Sequence, residues 1–191
     1  MPNENPLGER GRVLEDDYFR KKDRELIEKM RQASAAEAAS RELSAKSGLR
    51  DPEMLEELQA LGFTPDTVAL LPLVPLLQMA WAEGGVSEAE RTLILQLAGT
   101  RGIEDGSAAD RQLRSWLSSR PDAQVFSSAS RLIRATLDSE ASGVAPLTAD
   151  DLVKYCEQIA AASGGIFGIG RVSSEERALL DTIARDLAHK K

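Results

Sequence analysis

Four side chains crowd one short stretch of the chain: Glu83, Ser87, Glu88 and Glu90. Carboxylates gathered on a turn and a helix start can hold a hard divalent cation such as Ca²⁺ or Mg²⁺, which takes oxygen ligands. Glu83, Glu88 and Glu90 are the metal-ligand candidates. The same residues fit a plainer role. Acids stabilise helix N-termini through the dipole, and Ser87 with Glu90 three residues on spells a capping box. No other metal or acid–base chemistry finds its residues. One Cys (Cys156) and one His (His189) in 191 residues exclude an internal disulfide and a Cys/His zinc site. A Ser-His-Asp mechanism would need His189, the third residue from a charged end, where frayed backbone does not hold catalytic geometry. No catalytic residue and no cofactor-binding residue is assigned, and the chain reads as a non-enzyme.

Two more features resemble sites. The run Gly164-Gly165-Ile166-Phe167-Gly168-Ile169-Gly170 is glycine-rich, but it lacks the Lys-Ser/Thr tail of a phosphate loop, and no strand signal precedes it. It reads as a structural turn. Cys156 falls on an apolar helix face between Leu152 and Ile159 and reads as a small buried hydrophobe.

The elements that carry these residues are helices. β-branched runs and period-two alternation are absent, so the fold class is all-α. Residues 1–12 hold Pro, Gly and charge and read as a disordered tail. Residues 13–50 form a charged N-terminal helix or arm, rich in Glu, Lys, Arg and Ala. From Leu14 to Arg31 it carries six acids and six bases. Its apolar residues are sparse: Phe19, Leu26 and Ala33 at heptad spacing, Met30 four after Leu26, and Tyr18 and Ile27 beside them. Such a stripe is too thin to fold alone and suits docking on a partner. Tyr18, Phe19, Arg20, Glu25, Leu26, Ile27 and Met30 are therefore the partner-binding candidates.

Residues 51–191 read as a helical domain. Asp51-Pro52 and Thr64-Pro65 mark helix starts, and Gly62 marks a stop. A helix over 65–82 carries Pro72 and Pro75, which predicts a kink or break near 71–74. Further helices are expected from Ser87 to 99–102, over 108–120 and 122–137, from Thr148 to about 162, and from Ser173 onward. Trp81 and Trp116 fall on core faces. Leu147 and Leu152 are placed as a staple around the Thr148 cap, as are Phe63 and Val68 around Thr64. The segment Val86-Ser87-Glu88-Ala89-Glu90-Arg91-Thr92-Leu93-Ile94 parallels Val172-Ser173-Ser174-Glu175-Glu176-Arg177-Ala178-Leu179-Leu180 at an offset of 86. This reads as two pseudo-repeated helical hairpins. Ile169 stands where Glu83 stands in the first copy, so a paired metal site is incomplete.

Charge and hydropathy bound the surroundings. Acids outnumber bases 31 to 24, a formal charge of −7, which disfavours nucleic-acid partners. The most apolar run, 68–82, is too short and too proline-rich to span a membrane. No targeting segment is visible, so a cytoplasmic location is the expectation.

The stretch Ala82-Glu83-Gly84-Gly85-Val86-Ser87-Glu88-Ala89-Glu90 resembles the A-D-G-x-[IV]-[SD]-x-x-E pattern of the TerB-like family of bacterial tellurite-resistance proteins. That fold is shared by the N-terminal domain of the DjlA co-chaperones. The likeness extends over about 51–191 and implies a non-catalytic helical bundle linked to stress response, with a divalent cation or a co-chaperone-like role. Glu83 replaces the family's Asp, a longer arm that weakens a metal site. Separately, Tyr18-Phe19-Arg20 with Glu25, Ile27, Met30 and Arg31 is similar to the inhibitory helix of the mitochondrial ATP synthase inhibitor, which implies an arm that engages an ATPase.

Overall fold

The computed structural model describes residues 6–137, 148–162 and 173–188, and the chain is all-α, with no strand among them. Eight α-helices occur in these residues: α1 Pro6–Ser47, α2 Pro52–Ala60, α3 Val74–Ala80, α4 Glu88–Thr100, α5 Ala108–Ser118, α6 Ala123–Leu137, α7 Ala149–Ala162 and α8 Ser174–Ala188. A 3₁₀ helix, Val68–Leu73, runs directly into α3. The chain divides into two compact units, Met1–Arg41 and Glu42–Lys191.

The described part of the first unit is a single helix. α1 starts at Pro6, inside the stretch read as a tail, where proline's missing N–H costs nothing because first-turn donors have no intrahelical partner. It ends at Gly48, whose φ of +76° is open to glycine, and whose N–H donates to the Ser44 carbonyl at 2.9 Å.

The second unit begins earlier than the punctuation at Asp51 suggests. Leu43, on the last turns of α1, is fully buried, and Leu49 nearly so, both in the core of this unit. Asp51 caps α2 as expected, accepting from the Glu53 N–H at 3.0 Å. Gly62, at φ +85°, closes that helix, with the Phe63 N–H reaching back to the Leu58 carbonyl. Phe63 and Val68 are both buried.

Pro72 and Pro75 act as the sequence implies, and the result is sharper than a kink. The helix expected over 65–82 is divided. Val68–Leu73 adopts 3₁₀ geometry with Pro72 inside it, and an α-helix starts afresh at Val74. Pro75 then falls in the first turn of α3, where its lack of a donor is harmless. Leu70, Leu71, Leu73, Val74, Leu76 and Leu77 are all at most 2 % exposed, so this broken segment is the spine of the bundle. α3 packs against α4, α6, α7 and α8, and the 3₁₀ helix against α4, α5 and α6.

Trp81 and Trp116 are half-buried against this core. The Trp81 indole N–H donates to the Trp116 carbonyl at 2.9 Å, and Trp116 meets Phe63 edge-to-face at 5.7 Å. Arg91 adds a second clamp between α4 and α5, its guanidinium donating to the Leu117 carbonyl at 2.9 Å. Thr148 and Asp151 bond reciprocally at the start of α7. Leu147, the glycine-rich run 164–170 and His189 lie outside the described residues. No described helix is long and apolar enough to cross a membrane.

Candidate functional site

The acidic turn is built by α3, α4 and the connection between them. Ser87 takes an extended conformation and accepts from the Glu90 N–H at 3.3 Å, while Glu90 Oε2 accepts from the Ser87 N–H at 2.7 Å. The capping box is therefore complete, and it uses one of the three candidate metal ligands. Glu90 is buried, whereas Glu83 and Glu88 are exposed, and Glu88 lies 3.6 Å from Arg91 Nε. Among the described residues, no group of three or more His, Cys, Asp or Glu side chains is arranged to hold a metal ion. Glu83, Glu88 and Glu90 are thus neighbours in sequence that face different surroundings.

The second copy of the motif repeats the first at atomic detail. Glu176 Oε2 accepts from the Ser173 N–H at 2.7 Å, and the Glu176 N–H donates to Ser173 Oγ at 3.1 Å. Glu176 is buried, as Glu90 is. The two carboxylates, 86 residues apart, are electrostatic neighbours. Burial pushes the Glu90 carboxyl above the usual carboxylate range, its bonds to Ser87 pull it down, and the charges of Glu176 and Glu83 push it up again. Sequence spacing identifies the two capping boxes. It does not reveal that the folded bundle brings them together.

A groove of about 500 Å³ lies along α4 and α5, with Leu95, Ala98 and Ile103 among its apolar lining and Asp105, Asp110 and Arg114 among its charged residues. These charges satisfy one another. Arg114 Nε donates to both Asp110 oxygens at 2.9 Å, its Nη2 to Asp105 at 2.7 Å, and the Gly106 N–H donates to Asp110 at 2.9 Å. Arg114, then the Gly106 N–H, hold the Asp110 carboxyl below its usual range. Ser107 caps α5 by accepting from the Asp110 N–H. This Ser-x-x-Asp spacing is a signal that the sequence carried and that sequence analysis passed over.

Cys156 is fully buried on α7. Burial, with a small addition from the Glu157 charge, pushes its thiol up to about 12.

Among the described side chains, the exposed large hydrophobic ones all lie on α1. Tyr18, Phe19, Leu26, Ile27 and Met30 are between 49 and 64 % exposed. At about 100° per residue, Phe19, Leu26 and Met30 fall within roughly 40° of one another, with Tyr18 and Ile27 on either side. Tyr18 and Phe19 meet edge-to-face at 5.8 Å, and Lys22 Nζ stands 5.8 Å from the Tyr18 ring centre. Lys22 also pairs with Glu25 at 3.7 Å, and Arg20 and Glu25 are both exposed. The helix thus presents a narrow apolar stripe bordered by charges of both signs. Compared with protein-family models, with curated proteins and with solved structures, the chain finds no match.

Proposed function

We propose that this chain is a non-enzymatic helical interaction protein of the TerB-like, stress-response kind, and that its N-terminal helix presents an apolar stripe to a protein partner. One observation carries the reading: among the side chains described from residue 18 onward, large apolar ones are exposed on 18–30 of α1 and are covered or half-covered elsewhere. Leaving five such groups in water forgoes roughly 1.5–3 kcal/mol for each one that could be fully buried, a cost that partner binding would recover. The TerB-like part is supported by the Ala82–Glu90 motif, which opens on the turn and capping box described above. The reading calls on no cation at Glu83, Glu88 and Glu90.

The test uses the full chain. A chain starting at Asp51 would lose Leu43 and Leu49 from the core of the second unit, so substitution is the cleaner comparison. Phe19→Gln, Leu26→Gln and Met30→Gln together remove the stripe and leave helix propensity nearly unchanged. Wild type should retain, from cell extract, proteins that the triple variant loses, with no change in thermal midpoint. Recovery of the same proteins by both would overturn the reading.

A further inference from the structure

We propose that Met30 is an oxidation site that controls the α1 stripe. A peroxide converts its thioether to the sulfoxide ahead of every other described sulfur, and the added oxygen breaks up the apolar surface that Met30 shares with Leu26. The selectivity stands on the structure alone; its consequence for a partner rests on the proposed interaction role.

The first argument is access. The described side chains hold the sulfur atoms of Met30, Met54, Met79 and Cys156. Met79 on α3 and Cys156 on α7 are at most 1 % exposed, and Met54 on α2 is half-buried against the core. Met30 is 64 % exposed, more than any other side chain of the stripe. An oxidant must reach the sulfur lone pair, so oxidation follows exposure. Met79 must wait for an opening of the helices packed on α3, which costs much of the free energy of unfolding.

The second argument is position. Met30 follows Leu26 by four residues, so the two side chains are neighbours on one face of α1, and Phe19 lies about 20° from Met30 around the helix axis. The reaction is a two-electron oxidation by a peroxide such as hydrogen peroxide. The sulfur lone pair attacks one peroxide oxygen, the O–O bond breaks, an S–O bond forms, and the departing hydroxide takes up the remaining proton as water. The sulfoxide is polar and chiral, and it sits where the stripe presents a flexible apolar group. Met30 is not among the residues packed on the core, so the change leaves the fold in place. It is also reversible, because methionine sulfoxide reductases return the thioether with a thiol as reductant.

The test treats the full chain with hydrogen peroxide and follows it by peptide mass mapping and by elution from a phenyl column. The Met30 peptide should gain one oxygen, about 16 Da, at least tenfold faster than the Met79 peptide, with Met54 between them. The oxidised chain should leave the phenyl column earlier, with its thermal midpoint unchanged, and sulfoxide reductase with dithiothreitol should restore the original elution. Met30→Leu, a volume-conserving change, should keep its elution through the same treatment. Oxidation of Met54 or Met79 as fast as Met30, an elution that does not move, or an equal shift in Met30→Leu would each overturn the inference. Retention from cell extract separates the two claims. Where the triple Gln variant loses proteins that the oxidised chain keeps, control by Met30 falls and the interaction reading stands. Where the triple variant keeps them all, the interaction reading falls, and Met30 is judged on mass and elution.

Discussion

Leu77→Ala is expected to cost about 2–5 kcal/mol of unfolding free energy, the range for emptying a leucine site that cannot collapse. Leu77 is fully buried on α3, and α3 touches α4, α6, α7 and α8. Four helices would have to move inward together to close the void. The spine has little freedom to help them. The 3₁₀ helix with Pro72 enters it from one side, and Pro75 fixes its first turn. Urea unfolding reads the effect as a lower midpoint at unchanged slope. Leu93→Ala, at a half-buried position of α4, is the control and should cost less. A loss below about 1 kcal/mol at Leu77 would mean that α3 is not the centre of the bundle.

Glu90 separates two roles that a carboxylate can play. As an acceptor it satisfies the Ser87 N–H; as a charge it is buried beside Glu176 and Glu83. Glu90→Ala removes the acceptor of this part-buried bond and should cost about 0.5–1.5 kcal/mol, the net worth of a typical hydrogen bond. Glu90→Gln keeps an acceptor oxygen and removes the charge, so it should equal or exceed wild type at pH 8. The pH dependence has a definite sign. The folded-state pKa of Glu90 is raised above its unfolded value near 4.5. Between those two values the folded state binds more protons, so its stability contribution is full below the unfolded pKa and is lost as pH rises through the folded one. The advantage of Glu90→Gln over wild type should therefore grow upward from about pH 4.5 and level off above the folded pKa. An advantage that shrinks with rising pH would show that Glu90 gains more from its charge than burial takes away. Chemical denaturation at several pH values, with Glu176→Gln as companion, measures it.

What the residues reveal in advance is local. Ser87 with Glu90, Ser173 with Glu176, and Asp51 with Pro52 each specify a cap within four residues, and each forms as read. Pro72 and Pro75 announce a break because their effect reaches only the preceding turn. What depends on distant partners is not legible. Leu43 looks like part of a charged arm because nothing nearby in sequence covers it; elements beyond Asp51 do. The electrostatic contact of Glu90 with Glu176 depends on how two hairpins pack, which the offset of 86 does not encode. The apolar stripe on 18–30 was legible for the opposite reason: in the described chain nothing covers it, so its pattern reaches the surface unmodified.

Cys156 gives the bundle a built-in clock. Its thiol is fully enclosed on α7, and burial holds it protonated far above neutral pH. A thiol reagent can reach it only during excursions that separate α7 from its neighbours α3, α4 and α8. The rate of its modification thus counts openings of the native ensemble, one molecule at a time, without an added probe and without disturbing a packed side chain.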